Sequence, residues 1–141
     1  MAQKIRFVFR NCPFPDVHPL ALDMAIAAEA AGLQGKFWEM HTMIYENQRN
    51  LNLSSVNCFA GEIGLNMNLF TLSMGSRKLF KKITEDMESG IRSGVKGTPA
   101  FFINRLRYNG FNDFRGLLKS CNYSLNAEEV VPNLNLNTVQ K

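Results

Sequence analysis

Apolar and polar positions alternate from Lys4 to Arg10, with Ile5, Phe7 and Phe9 on one face and Lys4, Arg6, Val8 and Arg10 on the other. A period of two predicts a half-buried strand. Pro13, Pro15 and Pro19 then mark a turn over 11–19. Pro19 suits the first position of a helix, where its missing N–H is not needed. The alanine-rich run from Ala25 to Ala31 carries that helix to Gly32. A second helix is expected from Gly35 to Gln48, because Phe37, Trp38, His41, Ile44 and Tyr45 recur at spacings of three and four. Such an aromatic stripe reads as core, and His41 on it as a half-buried, hydrogen-bonded side chain. Ser54-Ser55 opens a short third helix ending near Gly64. Asn66 caps a fourth, irregular at Gly75 and running to about Ser89, with Leu79, Phe80, Ile83, Met87 and Ile91 as one apolar stripe.

The next segment breaks the helical pattern. Gly94-Val95-Lys96-Gly97-Thr98-Pro99 leads into the apolar run Ala100 to Ile103, which has the length of a buried strand bounded by breakers. Thr98–Pro99 is expected to be cis, since only an X-Pro bond adopts that form at low cost. A second strand around Arg107-Tyr108-Asn109 and a helix from Phe111 or Asn112 to about Asn122 complete the order. In the tail, 124–141, Leu134 and Leu136 alternate with Asn133, Asn135 and Asn137. That is the pattern either of an edge strand or partner contact, or of a loosely docked terminus, asparagine being a poor strand former.

Composition narrows the function classes. The chain has 141 residues, 45% of them hydrophobic, enough for one domain with a real core. Its net charge of +4 is spread along the sequence, with no basic block interleaved with aromatics, so no nucleic-acid partner is expected. No apolar run approaches the ~20 residues of a membrane span. The first residues lack a signal-peptide core, which gives a cytoplasmic expectation for the chain as written. Three cysteines, Cys12, Cys58 and Cys121, are odd in number and widely separated, which suits neither a disulfide framework nor a zinc site. No metal or cofactor is expected. Cys58 reads as a small buried core residue and Cys121 as lying at the end of the last helix. Cys12 is the candidate functional thiol: Cys12-Pro13-Phe14-Pro15 echoes a Cys-Pro-x-Cys motif whose fourth position is proline.

The Ile5–Arg10 strand with Phe14-Pro15 and His18-Pro19 after it, the stretch Gln34-Gly35-Lys36-Phe37-Trp38-Glu39-Met40-His41 with Tyr45-Glu46-Asn47-Gln48, and Gly94-Val95-Lys96-Gly97-Thr98-Pro99 with Phe101-Phe102-Ile103-Asn104 together carry a resemblance. From about Lys4 to Leu118 the chain resembles the DsbA-like branch of the thioredoxin-fold thiol–disulfide oxidoreductases. The resemblance implies an α/β protein, an incomplete thioredoxin-like (DsbA-like) fold. It would form one domain over 1–123, with a helical insertion over about 19–93 and a C-terminal tail over 124–141. It also implies that Gly97, Thr98 and Pro99 face an extended peptide or protein substrate, the residue before the proline offering backbone hydrogen bonds as an added strand would.

The sequence departs from that family in its reactive half. The family's Cys-x-x-Cys, on a strand and helix upstream of the Lys4 strand, is absent from this sequence. In the family the helix start stabilises a thiolate that attacks a disulfide, and the second cysteine resolves the product. Without that pair the expectation is a non-catalytic, peptide-binding or self-associating module. The alternatives are an oxidoreductase whose Cys-x-x-Cys segment lies outside this chain, or a single-cysteine redox protein using Cys12. The missing strand would leave an apolar face and bare backbone edge beside the Lys4 and Ala100 strands, so a homodimer joined near that face is expected. The family also usually has glycine after Asn104, where this chain has Arg105, so the hairpin turn is expected to be made differently.

Overall fold

Alanine sets the packing of the helical part. In α1 (Ala21–Gly32) the side chains of Ala27, Ala30 and Ala31 are fully buried, and burial runs around nearly the whole helix from Met24 to Ala31. A helix apolar on all sides must be surrounded, and small side chains let neighbouring axes come close. Accordingly α1 packs against α2 (Phe37–Glu46), α3 (Leu53–Glu62), α4 (Met67–Met74) and α5 (Arg77–Arg92). The structure, a computed structural model, describes residues 5–130, and the side chains of residues 5–126. It divides between Gly94 and Val95 into two units.

In the first unit the main core joins Met24 and the alanines of α1 to Met40 and Ile44 of α2, Val56, Phe59 and Ala60 of α3, Phe70 of α4 and Leu79 of α5. A smaller cluster pairs Ala25 and Ile26 with Ile83. The α5 stripe is thus only partly covered, since Leu79 and Ile83 are buried while Phe80 and Ile91 stay exposed. Local chemistry fixes the helix ends. Helix α1 starts two residues after Pro19, which sits in the preceding turn. A short 3₁₀ turn, Gln48–Asn50, follows α2. A capping box opens α3: Asn52 Oδ1 accepts the Ser55 N–H at 2.8 Å and Ser55 Oγ accepts the Asn52 N–H at 3.2 Å. The long fourth helix expected from Asn66 to Ser89 is in fact two helices. Gly75 closes α4, and Ser76 opens α5 by accepting the Leu79 N–H on Oγ. A serine side chain that satisfies a free N–H competes with continuation of the helix through it.

The strand expected over Lys4–Arg10 is not formed: residues 5–14 carry no regular secondary structure, and Lys4 lies outside the described residues. A strand exists only where a neighbour takes up its N–H and C=O groups, and no ladder partner lies along 5–10 among the described residues. Side chains fasten this segment instead. Asn11 is buried and donates from Nδ2 to Glu29 at 2.8 Å. Arg10 pairs with Asp86 at 3.4 Å, and the Phe9 ring stands edge-on to His41.

The second unit holds a hairpin and one helix. Strands β1 (Phe102–Ile103) and β2 (Leu106–Arg107) pair antiparallel, with Phe102 opposite Arg107 and Ile103 opposite Leu106. Both are shorter than the strands expected at Ala100–Ile103 and Arg107–Asn109, although the Tyr108 N–H donates to Phe101 O at 2.8 Å and extends the ladder. The two-residue loop has positive φ at Asn104 (48°) and Arg105 (70°). It is therefore turned in the way glycine would turn it, with Arg105 taking the unfavoured conformation, contrary to the expectation of a different turn. Asp113 opens α6 (Phe114–Val130) by accepting the Gly116 N–H on Oδ1 at 2.6 Å. Tyr108 lies so close to Gly110 and Gly116 that a Cβ at either would collide with its ring or hydroxyl. Helix α6 runs past the expected end at Asn122. The alternating tail pattern at Leu134 and Leu136 lies outside the described residues.

Six helices and a two-stranded sheet among the described residues agree with an α/β protein whose helical stretch spans 21–92.

Candidate functional site

The segment singled out by sequence begins where α5 stops. Gly94, at φ 86°, takes the left-handed conformation that ends a helix at little steric cost to glycine. The chain then passes without regular structure through Gly97, Thr98 and Pro99, all exposed, and the Thr98–Pro99 bond is cis. A Cβ at Gly97 would meet nothing within 4 Å, so the loop has open space on that side. Among the described residues, the backbone N–H and C=O of Gly97 and Thr98 make no hydrogen bond. The three residues named from sequence thus form one exposed stretch of unpaired main chain directly before the β1–β2 hairpin.

Cys12 belongs to the first unit, the Gly97–Pro99 loop to the second. The Cys12 thiol is half-buried and unpaired, and burial pushes its pKa up from the ordinary value. A nucleophilic cysteine needs the opposite shift, produced by a cation or a helix N-terminus beside the sulfur. Cys58 corrects its expectation: it is exposed, because α3 turns Val56, Phe59 and Ala60 inward and Cys58 outward. Cys121 lies within α6 rather than at its end. Among the described residues no group of three His, Cys, Asp or Glu side chains could hold a metal ion, and no helix is long and apolar enough to cross a membrane.

Two features of the first unit were not foreseen. Glu29, largely buried on α1, receives Lys82 Nζ at 2.7 Å as well as Asn11, and Lys82 also reaches Asp86 at 3.2 Å. Burial alone would lower the Lys82 pKa. The hydrogen bonds and charges of Glu29 and Asp86 outweigh it, so the pKa is raised and the ammonium is held. The signal in sequence was Glu29 itself, a lone charge inside an alanine run. The second feature is an open groove of about 780 Å³, lined by residues 6–9, the end of α1, the start of α2 and the first turns of α5. Beside it the aromatic stripe of α2 is core only in part: Ile44 is buried and Phe37 packs against the core, whereas Trp38 is 47% and Tyr45 53% exposed. His41 stacks on Tyr45 with ring centroids 4.5 Å apart. Its buried Nε2 has no hydrogen-bond partner among the described residues, against the expected hydrogen bond, and burial lowers its pKa.

Comparison with known proteins places this geometry in context. A family model described as Thioredoxin matches residues 2–120. Among curated proteins, the chain is 39% identical over 113 residues to the Na(+)/H(+) antiporter NhaA 1 of Salinispora arenicola, covering 80% of this chain and 17% of that protein. It is 38% identical over 106 residues to the Na(+)/H(+) antiporter NhaA 3 of Salinispora tropica, covering 75% and 16%. The corresponding antiporter of Mycolicibacterium vanbaalenii is 34% identical over 116 residues, covering 81% and 19%. The chain therefore spans less than a fifth of the length of these relatives. No solved structure matches it at a significant level.

Proposed function

The chain belongs to the thioredoxin family, and from that premise we propose that it is a DsbA-like module that binds extended peptide segments at Gly97, Thr98 and Pro99 without dithiol chemistry from its own cysteines. The observation that carries this reading is the exposed, unpaired main chain of Gly97 and Thr98. An extended peptide laid against such a segment gains main-chain hydrogen bonds and needs only loose side-chain complementarity. Pro99 has no N–H to give, so the contacts fall on the N–H and C=O of Thr98 and the groups of Gly97. The raised pKa of Cys12 supports the absence of an activated thiol.

The test is an amide-resolved NMR titration with a reduced, S-alkylated unfolded protein as the peptide source. Shifts concentrated at Gly97, Thr98 and Ala100 are expected, and a titration that leaves all three unmoved would overturn the reading. In parallel, the chain is expected to reduce insulin no faster than its variant with all three cysteines changed to serine. Cys12-dependent reduction would favour the single-cysteine alternative.

The antiporter relatives favour a second reading, of the partner rather than the chemistry: a module that acts beside a Na⁺/H⁺ antiporter. An antiporter reconstituted in vesicles is then expected to change its Na⁺ dependence or pH midpoint when the chain is present. No change at saturating chain would reject it.

A further inference from the structure

Charge is divided unevenly between the two units. With histidine neutral, residues 5–94 carry as many acidic as basic side chains, so the described first unit has no net charge. In the second unit Lys96, Arg105, Arg107, Arg115 and Lys119 are all exposed, and Asp113 is the one acid among its described side chains. Asp113 is committed to the start of α6, where Oδ1 accepts the Gly116 N–H at 2.6 Å. Lys96 stands directly before Gly97 and is the single charged residue from Val95 to Asn104. Its ammonium has no ion pair among the described residues.

We infer that the peptide site at Gly97, Thr98 and Pro99 selects acidic extended segments, with Lys96 as its specificity-determining residue; this rests on the peptide-binding reading above. A segment hydrogen-bonded to the main chain of Gly97 and Thr98 lies about 5 Å away, as neighbouring strands do. A lysine reaches across that gap on its flexible four-carbon stem. A carboxylate beside Lys96 gains a charge partner, an amide gains only a hydrogen bond, and an ammonium meets repulsion. The exposed cations of the hairpin and α6 add a field of the same sign over the unit. That field speeds encounter with an anionic segment and slows encounter with a cationic one. A phosphate backbone would answer the charge but has no N–H to give the carbonyls of Gly97 and Thr98, which a peptide supplies.

Three capped octapeptides are titrated into the full chain, identical in their alternate threonines and carrying Glu, Gln or Lys between them, with the amides of Gly97, Thr98 and Ala100 followed by NMR. At about 20 mM salt the Glu peptide is expected to bind about fivefold or more tighter than the Gln peptide, and the Lys peptide more weakly than either. The differences should shrink at about 0.3 M salt, as exposed charges are screened. Lys96→Gln is expected to cost the Glu peptide about two- to fivefold in affinity and to leave the Gln peptide unchanged. Lys96→Glu should bring the Lys peptide level with the Glu peptide or above it, while Arg49→Gln, exposed in the first unit, leaves all three affinities as they were. Amide spectra unchanged outside 95–99 establish that the Lys96 variants are folded. Equal affinity for the three peptides, or a charge order that survives both Lys96 variants, overturns the inference and leaves peptide binding in place. Three peptides that all fail to move these amides overturn the peptide-binding reading itself, and this inference with it. Shifts with an oligothymidylate and with no peptide overturn it in favour of a nucleic acid.

Discussion

Arg105 occupies the second position of a two-residue hairpin loop at φ 70°, beside Asn104 at 48°. Asparagine tolerates the left-handed region, while a residue with a long side chain pays about 1 kcal/mol or more there. Arg105→Gly relieves that strain and loses part of the gain to the freer unfolded chain. A net stabilisation of about 0.5–1 kcal/mol is expected, read as a higher urea midpoint. His41 gives a residue-scale prediction in pH. Burial lowers its pKa below the ordinary value of 6.5, so the unfolded chain binds the proton more readily than the folded one. Stability from this site is complete above pH 6.5 and is lost as pH falls from there through the folded pKa. Urea midpoints should therefore drop on acidification below that point, and His41→Phe, which keeps a ring against Phe9 and Tyr45, should flatten the drop. An unchanged slope in the variant would assign the effect elsewhere.

At the scale of elements, short polar side chains decide where helices begin. Asn52, Asn66, Ser76 and Asp113 each accept an N–H three residues ahead. Asp113→Ala removes such an acceptor from the start of α6 and should cost about 1 kcal/mol, with the lost protection confined to the first turn of that helix in hydrogen exchange. Asn66 was legible as a cap, and Ser54-Ser55 announced α3 within two residues of its start. The break at Gly75 was seen only as an irregularity, because one apolar stripe, from Leu79 onward, masked the change of helix before it. The expected first strand failed for a different reason. Ile5, Phe7 and Phe9 have the period of a strand, but periodicity states which face an element would bury and says nothing about whether a neighbour is there to pair with it. With no such neighbour among the described residues, Phe7 is left 66% exposed.

For the molecule as a whole, the contrast lies in burial: the first unit has a buried core, and the second has almost none among its described side chains. Of its described side chains only Val95 is buried, and Leu106, Phe111 and Phe114 are 75%, 86% and 78% exposed. Large apolar side chains left this exposed, where they form one patch, mark an interaction surface. We therefore propose self-association through the second unit, near the Ala100 end of the face from which a homodimer was expected. Sedimentation velocity at micromolar concentration should give a species of twice 16.0 kDa, reduced to 16.0 kDa by Leu106→Glu. A single 16.0 kDa species for the unaltered chain would reject it.

The sequence by itself determined the helices, through the alanine run of α1, the spacing of apolar residues and the capping side chains. It also located the exposed Gly97–Pro99 loop and the want of a cysteine pair. These depend on residues within a few positions of one another, where backbone sterics and side-chain caps act. Tertiary structure alone decided that Cys58 faces out, that His41 has a ring neighbour in place of a hydrogen-bond partner, and that a groove opens between 6–9 and α5. It also decided the ion network: Arg10 meets Asp86 across 76 residues of sequence and Lys82 meets Glu29 across 53. Contacts at that separation exist only once packing has brought the elements together, so no local pattern encodes them.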